Sequence, residues 1–208
     1  MLVNDELHSS QDESRILHPS SRALFRFWET MRGDRSAPDR GDLDLKAVRD
    51  LVPWLFIAEY AVKARMFRWR LAGTGVCELY RRELTGSNML AGWDSFEADV
   101  ISRFLSSTLH TFQPSVLRLR FGTDHGATIG VELPAFPIMA ADGVTTHIFG
   151  GVFPFSDSYA THYNRIETQE ITAAHSVWTE YLPASISQQS GQRGVHRRPF
   201  RLIQGGVR

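Results

Sequence analysis

Two short segments, Phe67 to Leu71 (FRWRL) and Ser115 to Phe121 (SVLRLRF), set arginines and large apolar side chains on alternate positions. A strand sends successive side chains to opposite faces. Phe67, Trp69 and Leu71 therefore point one way while Arg68 and Arg70 point the other, and Leu117 and Leu119 likewise oppose Arg118 and Arg120. A sheet with one apolar and one polar face follows. The turn Gly-Thr-Asp-His-Gly carries the second segment into ATIGVEL as a hairpin, and Ala141-Asp142-Gly143 turns the chain into THIFGGVFPF. Such short connections imply antiparallel neighbours.

Helical periodicity supplies the other layer. In HPSSRALFRFWETMRG, Ser20 or Ser21 can cap a helix whose apolar face is Leu24, Phe25, Phe27, Trp28 and Met31, with Gly33 as its stop. A short helical segment is expected from Leu43 to Leu51, and Leu55 to Tyr60 reads as a strand. From Trp93 to Phe112, the spacing of Phe96, Val100, Ile101, Phe104, Leu105, Thr108 and Leu109 matches a helix that Pro114 closes. Helix, two strands, helices and three strands make an α+β domain. Gly73 and Gly75 supply two glycines of a dinucleotide fingerprint, but Glu78 replaces the third and no βαβ alternation surrounds them. A tight exit from the second strand explains them better.

The 208 residues suit one domain with extensions. Lys+Arg and Asp+Glu both number 23, so no global field attracts nucleic acid or an anionic membrane. The single cysteine, Cys77, rules out an intramolecular disulfide framework and a multi-cysteine zinc site. The N-terminus lacks a basic segment followed by an apolar run, and no stretch of about 18 apolar residues occurs. A cytoplasmic protein with no membrane partner is expected. Residues 1–18 form a polar tail expected to be mobile, 19–160 the folded domain with its N-terminal helix, and 161–208 a C-terminal extension. Tyr159 to Tyr181 fits either a helix or an extra strand. From Arg193 the tail carries five arginines and no acid; it reads as a solvated terminus, and nucleic acid is not the expected partner.

The element order, together with LFRFWETMRG, VPWLF, the Arg-x-Arg-Leu-x-Gly-Thr strand and turn, Glu-Leu-Thr-Gly and the paired hairpins, resembles a PAS domain. The resemblance covers roughly Leu24 to Phe155 and is to a divergent bacterial subfamily often found as short stand-alone proteins. It implies a PAS-like five-stranded antiparallel sheet with helices on one face, plus the additional N-terminal helix, enclosing a pocket for a small ligand. It also implies self-association through the sheet or the N-terminal helix.

Known PAS chemistries can be tested against the residues. Flavin-binding relatives place a reactive cysteine soon after Gly-x-Asn, whereas here Gly86-Ser87-Asn88 is followed by Met89, whose thioether forms no thiol adduct. Cys77 lies too early and reads as a small buried residue. Haem-binding relatives use a histidine on the long helix, where His110 sits near the end; a favourable helix-dipole contact is the commoner reason for a histidine there. No histidine shows a compact metal-ligand spacing. No metal is expected and no cofactor is assigned.

An enzyme reading would rest on Asp34, Asp39, Asp42 and Asp44 around Arg32, Arg35 and Arg40, which solvated ion pairs and caps also explain. The expectation is a non-catalytic PAS-type sensory or protein-interaction module in bacterial signalling, a homodimer or the partner of another signalling protein. The alternative is a small-molecule enzyme using that connector and the same pocket. Trp69, Leu71, Tyr80, Phe104, Leu117 and Leu119 are the pocket candidates, unless they form only a core. Arg68, Arg70, Arg118 and Arg120 are the interaction-face candidates, with Glu132 available to pair with one of them.

Overall fold

The computed structural model describes residues 15–64, 66–140, 146–155 and 165–177. Helix α1 (Pro19–Arg32) begins where the His18 imidazole accepts the Ser20 amide, with Pro19 in the first turn, and ends at Gly33 with φ of 55°. His18, rather than Ser20 or Ser21, is therefore the cap. A 3-10 turn (Arg40–Asp42) and a longer 3-10 segment (Leu45–Trp54) lead to β1 (Leu55–Ala61) and β2 (Met66–Ala72). Helix α2 (Thr74–Tyr80) and helix α3 (Ser95–Thr111), the latter capped by Asp94, precede β3 (Ser115–Thr123), β4 (Thr128–Ile138), β5 (His147–Gly151), β6 (Phe153–Pro154) and β7 (Ile166–Ser176).

Among the described residues, the strands form one antiparallel sheet in the order β2-β1-β5-β4-β3-β7, with β6 also paired to β4. The five expected strands are β1 to β5, with β2 at one end of the sheet. The extension expected after residue 160 adds β7, which continues the sheet beyond β3 over almost the full length of that strand. The basic tail from Arg193 lies outside the described residues.

Helices cover both faces. On the inner face, α2, α3 and the loop between them close over Trp69, Leu117, Leu119 and Val131. On the outer face, Leu24, Phe25 and Trp28 of α1 pack against Val116, Phe136, Ile138 and Phe149. The apolar face of α1 is thus consumed within the chain and is not a free self-association surface, because the outer face of β4 and β5 is itself apolar and must be buried. The expected tail also ends earlier than residue 18. Ile16 is fully buried, and the Leu17 and His18 amides donate to Glu132. Residues 1–14 lie outside the described residues.

A bulge in β2 decides the fate of Leu71. Ala58 pairs with Trp69 and Ile57 with Leu71, so Arg70 is the extra residue. One added residue reverses the phase: Leu71 turns to the outer face beside Ile57 and is 42% exposed. Gly73 then carries the chain from β2 into α2. Its amide donates to the Leu55 carbonyl, and a Cβ there would overlap the Pro53 and Val52 carbonyls. Close backbone approach, not a phosphate, requires this glycine.

Candidate functional site

Among the described residues, the inner face holds a small space under α3. Of the pocket candidates, Trp69, Tyr80, Leu117 and Leu119 line it. Leu71 does not, for the reason given by the bulge, and Phe104 sits half-buried at the rim of the core without reaching it. Five further lining residues were missed: Met89, Leu90 and Trp93 from the loop before α3, Ile101 from α3, and Leu133 from β4. Ile101 and Leu133 carried a signal, since they lie in the apolar phase of their elements; the loop residues carried none.

The space is nearly closed, with about 10 Å³ open to the centre of a water-sized sphere. Edge-to-face aromatic contacts fill the rest: Trp69 meets Phe56 at 5.2 Å and Tyr80 at 6.3 Å, and Tyr80 meets Phe121 at 5.8 Å between ring centres. Burial pushes the Tyr80 phenol well above its ordinary pKa, so it stays neutral here. This arrangement is a packed core that has room for about one water.

On the outer face the four arginines separate into two pairs. Arg68 and Arg70 lie on β2, Arg118 and Arg120 on β3, and three strands stand between them. Four strand spacings amount to roughly 19 Å. Arg68 is exposed, and Arg70 holds Glu59 at 3.3 Å beside it. Arg120 pairs with Glu170 at 2.9 Å on the surface. Arg118 is the most covered of the three paired arginines. It meets the fully buried Glu132 at 3.4 Å and donates to the Arg15 carbonyl at 2.6 Å, so the N-terminal arm covers it.

A PAS domain family profile matches residues 16–153. The chain belongs to the PAS family. No curated protein matches it significantly. Among solved structures, it is similar to a light-oxygen-voltage domain studied with a flavin analogue, at 16% identity and a TM-score of 0.41 over 56% of this chain and 87% of that one. A Rhodobacter sphaeroides LOV protein aligns at 12% identity and a TM-score of 0.40, over 58% and 73%. An RNA-binding light-oxygen-voltage receptor aligns at 17% identity and a TM-score of 0.39, over 54% of this chain and 32% of that one.

The remaining reactive side chains of this PAS domain lie away from the inner space. Cys77 is half-buried, its Sγ 3.9 Å from the Ala72 carbonyl and 3.8 Å from Glu83; burial pushes the thiol up, away from thiolate chemistry. His110 is exposed at the end of α3, beside an open polar groove with Tyr60 and Ser106 rather than the inner space. Among the described residues, no three His, Cys, Asp or Glu side chains group to hold a metal. In the connector, Arg35 bridges Asp39 at 2.9 Å and Asp42 at 2.7 Å, Asp39 and Asp42 cap their own 3-10 turn, and Asp44 caps the Lys46 amide. The Arg35 hydrogen bond holds the Asp42 carboxyl below the usual carboxylate range.

Proposed function

We propose that this chain is a non-catalytic, cytoplasmic PAS module of bacterial signalling that works by protein contact, as a homodimer joined through the outer face of β2. The observation that carries this reading is the contrast between the two faces. The inner space is nearly filled, whereas Arg68, Arg70 and Leu71 stand exposed on a part of the described outer face that α1 and the N-terminal arm leave open. The flavin that one solved relative's study names does not fit this interior: ligand pockets hold some hundreds of Å³, against about 10 Å³ here. No helix among the described residues is long and apolar enough to cross a membrane.

Sedimentation of the full chain across a concentration series tests this directly. Arg68→Glu combined with Arg70→Glu is expected to weaken self-association by about tenfold or more, equivalent to roughly 1.4 kcal/mol. Surface substitutions typically change stability by only about 0.5 kcal/mol, so the melting temperature should hardly move. A wild-type chain that stays monomeric throughout, or a double variant that associates as well as wild type, contradicts the reading.

A further inference from the structure

Two histidines close the domain at its two ends, and both work as acceptors. His18 Nε2 lies 3.2 Å from the Pro154 carbonyl, which can only accept, so Nε2 carries the proton and Nδ1 is free to receive the Ser20 amide at 3.1 Å. Its ring also stacks on Phe153 at 5.4 Å. His175, on β7, sets Nε2 3.5 Å from an Arg118 terminal nitrogen, a group that can only donate. A second proton on either ring would point an N–H at another N–H.

The two sites share one pair of charges. Glu132 on β4 accepts the Leu17 amide at 3.0 Å, the His18 amide at 2.8 Å and Arg118 Nε at 3.4 Å. Arg118 on β3 holds the Arg15 carbonyl, while Arg15 donates to the Ser176 carbonyl at 3.3 Å and Thr172 donates to the Arg118 carbonyl at 3.1 Å. We propose that His18, His175 and the Glu132–Arg118 pair form an acid-released clasp that fastens the N-terminal arm and strand β7 to the sheet while both imidazoles are neutral, and loosens both ends together on acidification.

The charges around each ring are of both signs, and burial sets the net direction at both. His18 faces Glu132 from β4 and Arg22 from α1; burial, the largest influence, holds its pKa below 6.5 against the raising effects of the Pro154 carbonyl and Glu132. His175 faces Arg118 from β3, Arg15 from the arm and Glu132 from β4; burial first and the two arginines next lower it as well. A released ring titrates at its ordinary value, so protons favour the released form. The clasp is therefore complete above pH 6.5 and is lost as the pH falls through the lowered values of the fastened state.

Hydrogen exchange on the full chain at pH 7.5 and 5.5, corrected for the intrinsic effect of pH, reads this segment by segment. In the wild type, protection of the Leu17 and His18 amides and of β7 should fall by roughly threefold or more, with β4–β5 pairing unchanged. His18→Asn with His175→Gln supplies acceptors that do not titrate in this range, and should abolish the fall. Unchanged wild-type protection, an equal fall in the double variant, or a loss spread evenly over β4 and β5 overturns the proposal. If the double variant does not fold, ring titrations in the wild type decide. Midpoints below 6.5 that coincide with the amide changes support the clasp, and midpoints at or above 6.5 refute it.

Discussion

Trp28→Ala is expected to cost about 3–5 kcal/mol, the range for deleting a buried large aromatic side chain. Trp28 is fully buried between α1 and the outer sheet face, stacked on Phe136 at 5.7 Å, with Arg32 over its ring at 5.4 Å. Its indole N–H donates to the Pro137 carbonyl at 2.9 Å, so truncation leaves both a void and an unpaired acceptor. For a chain of this length each kcal/mol lowers the melting temperature by about 2–4 °C. Trp28→Phe keeps the stacking and loses mainly the hydrogen bond, so it should cost about 1–2 kcal/mol. Urea denaturation of both variants checks the order. A cost below about 1 kcal/mol for the alanine variant would mean that α1 is not an integral layer of this PAS domain.

Glu132→Ala should cost about 3 kcal/mol. Stripping one partner from a buried ion pair costs about 3–5 kcal/mol because the other charge is left without compensation. The lower end applies here, since the Arg118 side chain retains 23% exposure and can turn toward water. The Leu17 and His18 amides lose their acceptor as well, and Ile16 loses the anchor that keeps it buried. Chemical denaturation should show the loss, and exchange of the Leu17 and His18 amides should quicken more than that of β5. A variant within about 0.5 kcal/mol of wild type would show that the arm is held by apolar contact alone.

How much of this was legible depends on whether a local period survived in the final register. Leu117, Leu119 and Trp69 were placed inside by alternation alone, and their strands keep that phase. Leu71 was misplaced because Arg70 is a bulge residue, and no local signal marks where a strand slips by one. Strand β7 stayed ambiguous for the same reason: its register shifts between Arg118 and Leu119 and again between Gly122 and Thr123 of β3, so its apolar residues show no steady period of two. The apolar face of α1 was legible, but its partner was not, since an amphipathic stripe does not say which surface covers it. Arg118 was assigned to the correct side of β3, yet its burial depends on an arm more than 100 positions away in sequence.

The closed interior is the claim on which the protein-contact reading rests, and native mass spectrometry of the purified full chain tests it most directly. The expected spectrum contains the bare polypeptide, or whole-number multiples of it, with no absorbance beyond that of the aromatic residues. A stoichiometric non-covalent adduct, released on denaturation and lost in Leu117→Trp, would contradict it, because such a ligand could occupy the space between Trp69, Tyr80, Leu117 and Leu119 only if that space were open.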